Sequence, residues 1–149
     1  MNITILGTAH PYRGGLATFN ERLARQFQDE GHDVQVITFT LQYPSFLFPG
    51  KTQYTNDPAP KDLSIRRALN SCNPFNWIRL GRMLRRQQPD LLICCYWMAF
   101  FAPMFGTICR IVHQSINSHA SGASIAVSAA HQSISPSIAL RIFSICYIF

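Results

Sequence analysis

Apolar residues in the first part of the chain alternate between short continuous runs and stripes spaced three and four apart. The run Asn2 to Gly7 (NITILG) is short, β-branched and stopped by glycine, as a buried parallel strand is. A loop, Thr8 to Arg13, follows it. From Gly14 the apolar positions become Leu16, Phe19, Leu23 and Phe27, with Glu21, Arg22, Arg25 and Asp29 between them. This spacing predicts one apolar stripe on a helix, ended by Gly31. Asp33 to Phe39 (DVQVITF) then reads as a second strand. Strand, glycine-rich turn, helix and strand make a βαβ unit, whose crossover is expected to be right-handed.

Residues 40–62 break the rhythm, with Pro44, Pro49, Pro58 and Pro60 among the aromatics Tyr43, Phe46, Phe48 and Tyr54. A connection this long inside a compact domain is usually functional. Leu63 to Leu69 reads as a weak third strand. Asn73 before Pro74 predicts a helix start, with Trp77, Leu80 and Leu84 on the buried face and an end near Gln88. Asp90 to Trp97 (DLLICCYW) predicts a fourth strand. Met98, Phe101, Phe105, Cys109 and Val112 predict a further helix, which Pro103 either kinks or forces to start late. The fold class expected is α/β, a doubly wound, mainly parallel Rossmann-like sheet.

Composition narrows this picture. A length of 149 residues suits one domain. A hydrophobic share of 48% with only 13% charged residues excludes intrinsic disorder. The net charge of +6 favours anionic partners. The distribution is uneven: every acidic residue lies at or before Asp90, and the 37 residues from His113 to Phe149 hold nine Ser, seven Ile and no Asp or Glu. We therefore expect a coherent but incomplete domain over 1–112 and an atypical tail over 113–149 without a strand pattern. The tail reads as a shifted reading frame, with a genuine C-terminal extension as the alternative. Cys72, Cys94, Cys95, Cys109 and Cys146 have no CxxC spacing, so buried, reduced thiols are expected and a zinc site or disulfide framework is not. The first apolar run is too short for a secretory signal, and the N-terminus reads as cytoplasmic.

Four local patterns carry candidate chemistry. Gly14 and Gly15 sit between the first strand and the first helix, where the backbone can approach a ligand and the helix N-terminus suits an anion. Arg13 adds charge, and His10 in the same loop has a side chain suited to proton transfer or phosphate contact. The spacing of Gly7, Gly14 and Gly15 is not the GxGxxG fingerprint, which disfavours a simple nicotinamide-dependent dehydrogenase. Gly50, Lys51 and Thr52 spell the end of a phosphate-binding P-loop, but Ser45 stands where its first glycine belongs, so the match reads as coincidence.

The third pattern is Arg79, Arg82, Arg85 and Arg86 on a basic amphipathic helix, either a solvated face or a contact with anionic lipid. Its aromatics are not interleaved with the charges, which argues against nucleic acid. The fourth, Leu91 to Cys109, is uncharged and just long enough to span a bilayer, although a buried strand and an apolar helix explain the same residues. No Ser/His/Asp set or metal-ligand cluster assembles. Two rivals to an enzyme therefore stand: a small membrane-associated protein using 74–88 and 91–109, and a non-catalytic nucleotide-binding module.

ITILGTAHPYRGGLATFNERLARQFQDEGHDVQVITF resembles the first βαβ unit of retaining glycosyltransferases of the GT-B fold, family 4. NPFNWIRLGRMLRRQQPDLLICCYW, where an arginine-rich helix leads into DLLI, is similar to the same group, and the resemblance covers about residues 1–112. It implies the N-terminal, acceptor-side domain of an enzyme that transfers a sugar from a nucleotide-sugar to a glycan or lipid acceptor, with Gly14 and Gly15 near the donor diphosphate. It implies no metal or other cofactor. The family's nucleotide-sugar site, with a pair of glutamates seven residues apart, lies in a C-terminal domain absent from these residues. The resemblance therefore implies a truncated enzyme without turnover alone, located in the cytoplasm or at the inner face of the membrane. The family's later N-terminal-domain histidine has no match in His113, His119 or His131.

Overall fold

The structure, a computed structural model, describes residues 1–43, 54–55, 58–116 and 124–127. Five parallel strands form one sheet in the order β3-β2-β1-β4-β5. They are β1 (Asn2–Leu6), β2 (Asp33–Leu41), β3 (Ser64–Asn70), β4 (Leu91–Cys94) and β5 (Ser124–Val127). Helix α1 (Gly15–Asp29) covers one face, and α2 (Pro74–Gln87) and α3 (Ala102–Ile116) cover the other. The period of two along each strand produces this division. Ile3, Ile5, Val34, Val36, Leu91 and Ile93 pack toward α1, whereas Leu6, Ile37, Phe39, Leu92 and Cys94 pack toward α2 and α3.

Several boundaries differ from those expected. β2 runs two residues past Phe39, because Leu41 still pairs with Asn70 of β3. β4 stops at Cys94, three residues before Trp97, because its partner β1 ends at Leu6, which pairs with Cys94. An apolar run does not extend a strand that has no neighbour. The late start expected of the Pro103 helix is found: a single 3-10 turn over Ala99–Phe101 precedes α3, and Pro103 occupies its first turn, where no amide hydrogen is needed. The residues 91–109 thus split into a four-residue strand, a loop and part of a helix, and do not form a membrane span. No helix among the described residues is long and apolar enough to cross a membrane.

The α1 stripe is also rotated from the expected one. Ala17, Asn20, Ala24 and Phe27 are buried, and the larger Leu16, Phe19 and Leu23 are half-buried at the sides. Small side chains face the sheet and let the helix lie close to it. On α2 the buried positions are Leu80, Gly81 and Leu84, and Trp77 is half-buried with its Nε1–H donating to the Asn70 carbonyl at 2.7 Å. On α3 the buried face is Met104, Phe105, Ile108 and Val112, with Cys109 beside it and Met98 exposed.

Two findings concern the expected tail. α3 passes Val112 without a break and ends at Ile116, and Ser124–Val127 pairs with the outer edge of β4, where no strand was expected. Ile125 and Val127 alternate with Ser124 and Ala126, which is enough patterning for four residues once the β4 edge supplies hydrogen-bonding partners.

Candidate functional site

In a parallel sheet every strand ends, and every following helix begins, at the same edge, so the loop after β1 lies with the N-terminus of α1 at the carboxyl end. Gly14 is the N-cap of α1 with φ of 124°, a conformation glycine adopts without strain. No side chain caps the first turn and no acidic residue lies in it, so its amide groups and partial positive charge are left to solvent or a ligand.

The loop that carries this N-terminus is held by buried polar side chains. Asn20, 1% exposed, donates its Nδ2–H to the Thr8 carbonyl at 2.8 Å. Thr38 Oγ1 accepts from the Ala9 amide at 2.9 Å and donates to the Ala9 carbonyl at 3.3 Å. Gln42 donates to Thr8 Oγ1 at 3.3 Å. The His10 amide donates to Glu21 Oε1 at 3.0 Å, and the Thr55 amide donates to the Pro11 carbonyl at 2.7 Å. These contacts fix the loop before any ligand arrives. The Asn20 Oδ1 atom has no hydrogen-bond partner among the described residues.

A cleft of about 410 Å³ opens between α1 and the connection from β2 to β3. His10, Arg13 and Gly14 line it from the loop, Glu21 and Arg25 from the helix, and Thr55 from the connection. Arg13 is exposed, and Gly15 lies next to the lining as the first residue of α1. Arg25 Nε–H donates to Asp62 Oδ2 at 2.5 Å, and Gln28 donates to the Asp62 carbonyl at 3.2 Å. These bonds tie the connection to α1 and set the far wall. The Arg25 hydrogen bond holds the Asp62 carboxyl below its ordinary value. Tyr12, also in the lining, is 4% exposed, and its hydroxyl has no hydrogen-bond partner among the described residues. Tyr54 stands beside it, with ring centroids 5.2 Å apart, without completing a hydrogen bond. Burial, followed by the proximity of Tyr54, pushes the Tyr12 phenol above its ordinary range.

The structure therefore brings His10, Arg13, Gly14 and Gly15 together. It does not bring the four arginines of α2 to them. Arg79, Arg82, Arg85 and Arg86 are all exposed on α2, which follows β3, and none lines the cleft. The apolar side of α2 is occupied by the core, so a helix lying with that side in lipid is excluded and only its charges remain for a surface contact. Gly50, Lys51 and Thr52 lie outside the described residues, as do His119, His131 and Cys146. Among the described residues no group of three or more His, Cys, Asp and Glu is placed to hold a metal ion.

Sequence reasoning passed over Asn20, Thr38, Gln42 and Asp62. A polar residue inside an apolar helix stripe was the available sign for Asn20, which sits three and four residues from Ala17 and Ala24.

A doubly wound α/β domain with an uncapped, acid-free helix N-terminus at the carboxyl end of a parallel sheet belongs to the Rossmann-like class of folds, whose ligand crevice lies at that end of the sheet. Comparison with protein families narrows that class. The family profile of Glycosyltransferase Family 4 matches residues 13–137, which is 125 of the 149 residues, and the chain belongs to this family. The match starts at Arg13 and continues beyond Val112 across β5. A comparison with curated proteins finds no match.

Proposed function

We propose that the carboxyl end of this sheet is the acceptor-side half of a retaining sugar-transfer site. Gly14, Gly15 and Arg13 receive the diphosphate of a nucleotide-sugar, His10 flanks it, and the acceptor, a glycan or a lipid-linked sugar, enters beside them. The observation that carries the reading is the partition of charge between the two ends of the sheet. Among the described residues, Asp33 opens β2, Asp90 precedes β4, and Asp29 and Glu30 end α1, so these four lie at the amino end, whereas Asp62 pairs with Arg25 at the far wall of the cleft. At the carboxyl end none of the helices α1, α2 and α3 has an acidic residue in its first turn, and Glu21, the one carboxylate among the described residues that line the cleft, is engaged with the His10 amide and 3.9 Å from Arg25. Fixed donors and a cationic side chain stabilise the charge that grows on a leaving diphosphate without a covalent group. Turnover in this reading requires a second, donor-binding domain beyond these residues, and no metal takes part.

Titration of the chain with inorganic pyrophosphate, followed by amide chemical shifts, tests the site. Shifts centred on Gly14 and Gly15 are expected, and Arg13→Ala weakens binding about five- to tenfold, as loss of one charge-assisted hydrogen bond does. Shifts confined to Arg79, Arg82, Arg85 and Arg86 would reject the assignment. Tight calorimetric binding of UDP-glucose or GDP-mannose by this chain alone would reject the need for a second domain.

A surface contact with anionic membrane at the cytoplasmic face is a second reading, favoured by Phe75, 82% exposed at the start of α2 and followed by exposed Arg79 and Arg82. Co-flotation with vesicles containing phosphatidylglycerol, lost in Arg79→Ala/Arg82→Ala, is the expected result. Equal flotation of parent and variant rejects it.

A further inference from the structure

Cys94 closes β4, and Cys109 lies in the middle of α3. They are fifteen residues apart, yet their Sγ atoms are 3.5 Å apart, close enough for a thiol hydrogen bond. Strand alternation isolates the pair: Cys94 faces α3 with Leu92, whereas Cys95 packs on the α1 side. Cys94 is fully buried and Cys109 is half-buried, so one sulfur is sheltered and the other can be reached from solvent. The hydrogen bond to Cys109, together with burial, pushes the Cys94 thiol well above its ordinary range. The same bond holds the Cys109 thiol below its ordinary value against the opposing effect of burial.

We propose that Cys94 and Cys109 are a peroxide-reactive dithiol that closes an intramolecular disulfide between β4 and α3. The Cys109 thiolate attacks one oxygen of a hydroperoxide. The O–O bond breaks, Cys109 becomes a sulfenic acid, and the second oxygen leaves as water or alcohol after taking a proton. The Cys94 sulfur then attacks the Cys109 sulfur, the S–O bond breaks, and the hydroxide leaves with the Cys94 proton as water. Two thiols lose two electrons and the hydroperoxide gains them. Disulfide formation brings the sulfurs about 1.5 Å closer than they now stand, since a disulfide measures about 2.05 Å. Torsion of two side chains and a small slide of α3 supply that movement.

The linkage fixes the corner from which Trp97 reaches Tyr43 and Phe101 at the carboxyl end of the sheet. Trp97 Nε1–H donates to Tyr43 Oη at 3.2 Å, and its ring centroid is 4.9 Å from that of Phe101. Oxidation therefore stiffens the rim beside the β1 loop.

The test uses the full reduced chain, a few equivalents of hydrogen peroxide, alkylation of remaining thiols, and peptide mapping by mass spectrometry. Pepsin or chymotrypsin is required, because trypsin leaves Cys94, Cys95 and Cys109 in one peptide. A Cys94–Cys109 link is expected to form on the order of tenfold faster than oxidation of exposed Cys72, to reverse with dithiothreitol, and to persist in Cys95→Ala. In Cys94→Ala, dimedone is expected to trap a sulfenic acid on Cys109. Oxidation of Cys72 ahead of the pair overturns the proposal, as does linkage of either cysteine to Cys72, Cys95 or Cys146, or conversion of Cys109 to sulfinic acid without a link. The mapping of the parent chain decides the matter even if the Cys94 variant does not fold.

Discussion

Replacing Gly7 with alanine tests how the end of β1 is built. A Cβ at Gly7 would lie 2.6 Å from Asn20 Nδ2 and 2.9 Å from Cys95 Cβ, and neither group has room to yield. Cys95 Cβ is attached to the backbone just beyond β4. The Asn20 amide is 1% exposed and holds the Thr8 carbonyl at 2.8 Å. Overpacking costs about 1–3 kcal/mol. Displacing the amide leaves a buried carbonyl unpaired, which costs a further ~1–3 kcal/mol. Gly7→Ala is thus expected to destabilise the domain by about 2–6 kcal/mol, a large part of the ~5–15 kcal/mol typical of a whole domain. Equilibrium urea unfolding measures it as a lower midpoint at unchanged slope. The double variant Gly7→Ala/Asn20→Ala removes the nearer clash and counts the lost Thr8 hydrogen bond once, so it should be more stable than the sum of the single effects by about 1–3 kcal/mol. A Gly7→Ala protein within about 0.5 kcal/mol of the parent, or strict additivity in the double variant, refutes the reasoning.

Asn73→Ala is expected to cost about 1 kcal/mol, because Asn73 Oδ1 accepts from the Phe75 and Asn76 amides at 3.0 and 3.3 Å, and Asn73→Asp restores the stability; thermal unfolding compares the three. The Asp62 carboxyl, held below its ordinary value by the Arg25 hydrogen bond, contributes stability above its unfolded value and loses it as pH falls through the folded one. The stability gap between parent and Asp62→Asn at pH 6 should therefore close as pH falls through and below the ordinary carboxylate range, and shrink in 1 M salt, since the pair is exposed; a gap that widens in acid rejects the assignment.

The elements that sequence predicts best are those whose signals are local. Asn73 and Pro74 start α2 at the expected residue, because capping depends on atoms within one turn. Gly14 and Gly31, the two glycines with positive φ among the described residues, flank α1 for the same reason. Errors appear where a partner decides. β4 ends where β1 ends, not where its apolar run does, and Ser124–Val127 becomes a strand because the β4 edge is open to it. The buried face of α1 is set by how closely the helix approaches the sheet, which favours Ala17 and Ala24 over the larger Leu16 and Phe19.

The candidate site divides in the same way. His10, Arg13, Gly14 and Gly15 were legible because they share one loop, and backbone continuity alone keeps them together. Thr38, Gln42 and Asp62 are distant in sequence and reach that loop or its cleft only through pairing of β2 with β1 and packing of the connection on α1. The Cys94 and Cys109 sulfurs meet only because α3 returns across the end of β4. By itself, then, the sequence determined the alternating elements, their caps and the family, all of which are written in short-range spacing. Where strands stop, which polar groups support the loop and which thiols touch were decided by the tertiary structure, because those depend on contacts between segments that no local pattern encodes.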